Sequence, residues 1–383
     1  MKKILIISSV PTHPVIAGNR MWIKDNCKML ENLGCELHFL YVYVKPWRTD
    51  DADSIEHTRC YWNDRFYFYR ASFIERLLIT SKVKIHALLH HGYNLCDDKY
   101  PIFLQYRVKE LLGKENFDAC IVQYFYLTKV FEYIKGPIKV LATHDNFAYK
   151  DIVVNQRVID CLDANQSAKA MQRSNVIFSL NEKEQIFFEM LSPRSKVYTV
   201  YSYYEYHSQP VVGNRNIMFL SGPSPFNLNG LHWFLSNIFP FIVEKYPDCK
   251  LIIGGSICEK LTSLSDNVNI VLQGEVDNIG MFYCQGDISI NPTYQGTGLK
   301  TKTFEAVSYD KVEMAHPHSA IGIFKKEEAP IFFSENAEEW LNEIDFLWRD
   351  KNNIIKRKRE NEIYIKSLQQ YVITQYQDFL NHC

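Results

Sequence analysis

What is scarce narrows the field first. The 383 residues include only 16 glycines and 14 prolines, which leaves little room for long flexible linkers. No stretch approaches the ~18–20 consecutive apolar residues of a membrane-spanning helix. Met1-Lys2-Lys3 and the run Ile4–Ile7 imitate the start of a secretory leader, but the run is short, and polar Ser8 and Ser9 follow without a small-residue cleavage site. Net charge is nearly absent too: 43 Lys and Arg stand against 44 Asp and Glu, so nothing draws the chain as a whole toward nucleic acid. The ten cysteines include no CxxC pair and are scattered, which argues against a zinc ribbon and a disulfide framework. They read as reduced, mostly buried thiols of a protein in the cytoplasm or peripheral on the cytosolic face of a membrane. Two nucleotide signatures are missing as well. No GxGxxG follows Ile4–Val10, where Gly18 stands alone, and no GxxxxGK[ST] occurs, which disfavours a nicotinamide dehydrogenase and a P-loop kinase or ATPase.

What is present is an alternation of short apolar runs and helical spacings. Ile4–Val10, Leu37–Val44, Ala119–Phe125, Lys139–Thr143, Val176–Leu180 and Val197–Val200 read as buried strands. Residues 20–33 place Ile23, Cys27 and Leu30 on one helical face and end at Gly34. The pattern breaks around residues 201–215 and restarts with strands at Asn216–Leu220, Lys250–Ile253, Val268–Leu272, Ile288–Ile290 and Lys311–Met314. A helix between the first two carries Leu231, Phe234, Leu235, Ile238 and Ile242 on one face and is kinked near Pro240. Such alternation predicts an α/β fold of two Rossmann-like, doubly wound domains, 1–205 and 206–359, with a C-terminal helix over 360–383 packing back on the first. Ligands of such sheets bind outside the carboxyl ends of the strands, so two facing sheets would share a cleft suited to joining two substrates.

The most informative segment is Asn291-Pro292-Thr293-Tyr294-Gln295-Gly296-Thr297-Gly298-Leu299-Lys300-Thr301-Lys302-Thr303-Phe304-Glu305-Ala306. It follows a strand, holds two glycines that permit close backbone approach, and enters a helix. Free N–H groups at Gly296, Thr297 and Gly298 make a phosphate site, Lys300 and Lys302 add positive charge, and Glu305 one turn on can accept both hydroxyls of a ribose. The plain alternative is a solvated strand-to-helix turn with a surface lysine pair.

This segment resembles the donor-binding signature of GT-B glycosyltransferases, specifically family 4 (group 1). The likeness extends upstream through Phe219-Leu220-Ser221-Gly222, Asn227, Gly230, Trp233, Pro240 and Pro247-Asp248, and through Gln273-Gly274-Glu275-Val276-Asp277, over essentially all of residues 216–322. The resemblance implies a retaining, metal-independent transfer of sugar from a nucleotide-diphosphate sugar to a saccharide, lipid-linked or other glycoconjugate acceptor, with no further cofactor. By the same implication Glu305 holds the ribose, Lys300 and Lys302 offset the diphosphate, the backbone at Gly296, Thr297 and Gly298 approaches the sugar, Gly222 and Asn227 belong to the donor site, and Gly274 and Val276 flank the base. In the first half the match is looser. Gly18, Asn19 and Arg20 resemble a loop near donor phosphates and acceptor, and Thr143-His144-Asp145 resembles a cleft-floor segment in which His144 accepts or orients the acceptor proton, with Asp145 beside it. A structural histidine after a strand is the alternative for His144.

Two departures from the pattern matter. Gly222-Pro223-Ser224-Pro225-Phe226-Asn227 lacks the usual Arg and Lys, and Gln295 and Thr297 stand where many members carry an additional Glu. They keep open a non-catalytic nucleotide-sugar-binding or partner-activating subunit, and the shared fold keeps open a nucleotide-sugar epimerase or phosphorylase.

Other candidates read more plainly. Asp51-Ala52-Asp53 imitates a metal-binding pair but reads as a polar loop, His316-Pro317-His318 as a turn, His90-His91 as a helix end, and Lys356–Arg359 as a solvated helix face. The aromatic excess, 24 Tyr, 24 Phe and 6 Trp, concentrates partly at Tyr61, Trp62 and Phe66–Tyr69, followed by an apolar helix over Phe73–Leu89. An acceptor groove, an interfacial membrane contact and ordinary core packing are all consistent with it.

Overall fold

The computed structural model describes residues 1–15, 18–44, 51–90, 92–148, 161–296 and 298–383. The chain divides into two compact units, residues 1–203 with 371–383, and residues 204–370. The sequence reading put the division at 205/206 and the returning helix at 360; the last helix in fact spans Lys351–His382, and only its end from Tyr371 belongs to the first unit.

The first unit is built on seven strands: β1 (Lys3–Ser8), β2 (Glu36–Tyr43), β3 (Phe66–Arg70), β4 (Ala119–Gln123), β5 (Ile138–Ala142), β6 (Val176–Ser179) and β7 (Lys196–Thr199). They pair in the order β3-β2-β1-β4-β5-β6-β7, every pair parallel. Continuous apolar runs are what a parallel sheet covered on both faces requires, and Ile4–Ile7 are fully buried accordingly. The helix Gly18–Asn32 ends where Gly34 adopts φ 86°, a conformation that costs a glycine nothing. At the other terminus Tyr376 and Phe379 of the last helix pack their rings against Phe178 of β6.

The second unit carries β8 (Asn216–Leu220), β9 (Lys250–Gly254), β10 (Ile270–Gly274), β11 (Ile288–Asn291), β12 (Val312–Ala315) and β13 (Ile331–Phe333), ordered β10-β9-β8-β11-β12-β13 and again all parallel. Both sheets are therefore Rossmann-like and doubly wound. Each reverses its winding beside its first strand, between β1 and β4 and between β8 and β11, and such switch points are where open α/β sheets bind ligands.

Several local readings need correction. The expected kink at Pro240 is a break: one helix covers Pro225–Asn237 and a second Phe239–Lys245, with Pro240 in its first turn. Residues 51–53 open the helix Asp51–Trp62 rather than lying in a loop. Lys358 is not on a solvated face; it is buried, 3.3 Å from Asp287, and donates to the carbonyls of Gln209 and Pro210. The aromatic run forms edge strand β3, with the Tyr67 hydroxyl donating to Glu115 and that of Tyr69 to Glu75, while Trp62 is buried and donates to Thr12. Trp62 is core, whereas Tyr61 is exposed and Phe66–Tyr69 are half-buried. Cys27, Cys120 and Cys249 are buried thiols, in line with the reading of scattered, unpaired cysteines.

Candidate functional site

The richest cluster lies at the switch point of the second sheet. β8 delivers Ser221 and Gly222 at its carboxyl end, and the following helix is started by Ser224, whose hydroxyl accepts from the Asn227 N–H, with Pro225 in its first turn. β11 ends at buried Asn291, whose amide donates to Thr303 at 2.7 Å and so ties the strand to the helix Thr301–Ser308. Gly230 makes room for the loop between them. A Cβ on Gly230 would lie 2.8 Å from both the Pro292 carbonyl oxygen and the Thr293 Cα. Gly230→Ala is therefore expected to push that loop outward and destabilise the second unit by about 1–3 kcal/mol. Gly298→Ala, whose Cβ meets nothing within 4 Å, should leave unliganded stability unchanged in the same denaturant titration.

Three of the expected donor residues meet here. The Lys302 ammonium donates to Ser221 Oγ at 2.8 Å and to Asn227 Oδ1 at 2.7 Å, and Asn227 Nδ2 donates to the Gly222 carbonyl at 3.0 Å. Both acceptors of Lys302 are neutral. Burial, reinforced by the charge of Lys300, accordingly lowers the Lys302 ammonium to about 7. Lys300 donates to the Gly298 carbonyl at 3.1 Å, and its Nζ is 3.2 Å from where a Cβ on Gly296 would stand. Gly296 itself has φ 98°, a backbone conformation that favours glycine.

Glu305 follows within the same short helix. Burial raises its carboxyl above the ordinary range, opposed by Tyr283, whose hydroxyl donates to Oε1 at 3.3 Å, and by the charge of Lys302. Gly274 ends β10 at φ 77°, its carbonyl accepting from the Gly255 N–H, and the Val276 side chain packs over Gly254. Thr297 lies outside the described residues.

The sequence reading missed four contributors. Ser221 and Tyr283 hold Lys302 and Glu305, and both are far from them along the chain. His318 donates from Nε2 to the Gly296 carbonyl at 2.9 Å, bracing the glycine loop; it lies in the short 3-10 turn Pro317–Ala320, capped by His316. Glu313, on β12, is buried, and its carboxyl is pushed well above the usual range by burial, with the charge of Lys302 acting against this. A single acid in the apolar strand Val312–Ala315 was the available signal for it.

At the switch point of the first sheet the expected residues also converge. Asn19 donates to the Tyr124 hydroxyl at 3.0 Å, and the Tyr124 ring stacks on His144 at 4.1 Å and 9°. Trp22 meets the same imidazole edge-on at 4.5 Å. Tyr124 and His144, at the ends of β4 and β5, have φ of 70° and 65°, a strained region for non-glycine residues that tends to persist at functional sites. His144 Nε2 bonds Gln123 Oε1 at 2.6 Å; with that oxygen accepting, Nε2 carries the proton and Nδ1 the lone pair. Burial lowers the imidazole to about 3, so it is neutral at physiological pH. Asp145 accepts from the Asn146 N–H, which fixes its turn. Arg20 points into the scaffold, donating to the Pro14 carbonyl and Ser54 hydroxyl, while Gly18 opens its helix with no neighbour that a Cβ would touch.

Among the described residues, one group of metal-ligand type stands out, Glu36, His38 and Glu115. It sits at the amino ends of the first sheet, where Lys3 is 2.9 Å from both carboxylates.

Two parallel doubly wound sheets, each reversing beside its first strand, with a lysine- and glutamate-bearing helix at the second switch point, make up the fold known from GT-B glycosyltransferases. Residues 214–350 match the model of the family described as glycosyl transferases group 1, so the second unit carries that domain. The chain is 22% identical over 331 residues to an uncharacterized 44.6 kDa protein in the cps region of Klebsiella pneumoniae, covering 80% of this chain and 81% of that one. In fold it resembles sucrose-phosphate synthase of Thermosynechococcus elongatus (TM-score 0.68, 11% identity, 100% of this chain and 99% of that one). It also resembles Anabaena Alr3699/HepE, solved in complex with UDP (TM-score 0.65, 11% identity, 100% of both chains).

Proposed function

We propose that the protein transfers a sugar, with retention of configuration and without a bound metal, from a nucleotide-diphosphate sugar to a saccharide or glycolipid acceptor in the assembly of a surface polysaccharide or glycoconjugate. The observation that carries this reading is the joining of Lys302, Ser221, Asn227 and Gly222 in one hydrogen-bonded cluster beside Glu305 at a sheet's switch point. A carboxylate one turn from a cationic, glycine-rich helix start matches a ribose diol followed by a diphosphate. The UDP complex of the Anabaena protein and the cps-region relative support the donor class and the setting.

In this reading Glu305 accepts the ribose hydroxyls, and the diphosphate lies against Lys302, Lys300 and the N–H groups of the glycine loop. These groups act mostly as the glycosidic bond breaks, when charge builds on the departing diphosphate. His144, lowered to about 3, is too weak a base to hold a proton at neutral pH. Its role is to accept a hydrogen bond at Nδ1 and so orient the acceptor hydroxyl. Gly18 and Asn19 belong to this acceptor side, Asn19 through Tyr124.

The test begins with a thermal-shift screen of UDP, GDP, dTDP and ADP, since a ligand that binds only the folded state raises the midpoint. Sugar conjugates of the tightest nucleotide are then incubated with mixed saccharide and glycolipid acceptors, with and without EDTA. Nucleotide release that requires acceptor, is unaffected by EDTA, and yields product with the donor's anomeric configuration is expected. Isomerised donor without acceptor would make the protein an epimerase, and binding without turnover would make it a non-catalytic subunit.

A further inference from the structure

The helix Phe73–Leu89 presents an outer face that the core does not use. Its 17 residues, about 25 Å at 1.5 Å per residue, include one buried side chain, Glu75. At 100° per residue, Phe73, Ile74, Leu77, Ile85, Leu88 and Leu89 project within one half of the helix circumference, and all are more than half exposed, Leu88 by 84%. Lys84 lies along one margin of this stripe and Lys82 along the other, both exposed. Neither is ion-paired to a described residue. The helix's one acid is turned away: the Glu75 carboxylate accepts from the Tyr69 hydroxyl, the Ser72 N–H and the Phe103 N–H. These bonds fix the start of the helix to β3 and to the neighbouring helix Leu104–Lys114, where Phe103 and Tyr106 add exposed aromatic surface.

We propose that this face docks the protein on a bilayer surface containing anionic lipid, the helix lying in the plane of the headgroups. Apolar side chains along the middle of a helix face and lysines at both edges are the arrangement in which the stems follow the apolar surface and the ammonium groups reach the phosphates. No helix among the described residues is long and apolar enough to cross a membrane, so the contact is peripheral. Charge separates this occupant from a second copy of the chain. A two-fold pairing through the same stripe would bring lysine margins together with no carboxylate on the face to meet them, whereas anionic headgroups supply the missing partner. The surface stands independently of the glycosyl-transfer reading.

The full chain is floated with vesicles of phosphatidylcholine alone and of phosphatidylcholine mixed with phosphatidylglycerol. It should rise with the mixed vesicles and largely remain behind with the neutral ones. Leu77→Ser with Leu88→Ser should lower the bound fraction about tenfold or more through lost apolar insertion. Lys82→Gln and Lys84→Gln should each lower partition into the anionic vesicles about fivefold and reduce its salt sensitivity. All four changes are at exposed positions, and circular dichroism and the nucleotide-induced thermal shift should match the parent's, which separates this result from failure of the donor site. Failure to float with anionic vesicles, or partition unchanged in the leucine variant, overturns the proposal. A dimer in light scattering that the leucine variant dissolves would assign the face to self-association instead.

Discussion

Replacing Glu305 by alanine is expected to weaken binding of the preferred nucleoside diphosphate about hundredfold while leaving the protein folded. A carboxylate that accepts two ribose hydroxyls makes two charge-assisted hydrogen bonds, each contributing about 1.5–3 kcal/mol, and 1.4 kcal/mol is a factor of ten. In the unliganded protein burial works against this carboxylate, raising it above its ordinary range, and Tyr283 is its one hydrogen-bonded support among the described residues. Removing it should therefore not lower the unfolding midpoint. The loss should fall on nucleoside and diphosphate alike, because the ribose is common to both. Lys300→Ala should behave differently, weakening the diphosphate more than the nucleoside. Calorimetry of both variants with both ligands checks this; equal and negligible effects would remove the site assignment.

The second large effect is a proton taken up on binding. Lys302 is lowered to about 7 because it is buried against neutral acceptors and near Lys300. A diphosphate beside it restores a full counter-charge and raises it again. Between about pH 7.5 and 9 the free protein holds Lys302 mostly neutral and the complex holds it charged, so affinity should fall about tenfold per pH unit. Below pH 7 the lysine is already charged and this contribution is flat. The terminal phosphate, with a second pKa of about 6, is ionised throughout the upper window. Unliganded stability runs the other way. The folded value lies below the unfolded one, so the unfolded chain binds more protons between about 7 and 10.5, and the contribution of Lys302 to stability rises with pH there. Glu313 and Lys311 are shifted as well, so the diagnostic quantity is the difference between the parent and Lys302→Met. The variant should lose both the affinity slope and the buffer-dependent heat of proton uptake. An identical pH profile in parent and variant would show that Lys302 does not meet the diphosphate.

The strands at the sheet centres were legible because parallel strands buried on both faces are apolar without interruption, as in Ile4–Ile7 or Leu251–Ile253. Strand β3 was not, since Phe66–Arg70 is a half-buried edge whose tyrosines serve as hydrogen-bond donors to Glu115 and Glu75. β13, three residues long, is too short for any periodicity. In the site, the glycine loop and the Lys302–Glu305 helix could be read because their chemistry is local. The neutral acceptors that lower Lys302, the Tyr283 hydroxyl on Glu305 and the His318 brace on Gly296 come from elsewhere in the chain: Ser221 after β8, Asn227 and Tyr283 in other helices and His318 in a turn, and only the tertiary fold brings them together. Arg20, beside a glycine after the first strand, reads as a ligand group; in the fold its Nη1 donates to the Pro14 carbonyl and the Ser54 hydroxyl, bonds between residues that no local pattern connects.

A crystal structure of the protein with the tightest-binding nucleoside diphosphate tests the central claim most directly. The ribose hydroxyls should lie within hydrogen-bond distance of the Glu305 carboxylate, with the phosphates against Lys302 and the backbone of residues 296–298. A nucleotide seated elsewhere, with Glu305 still held only by Tyr283, would contradict it.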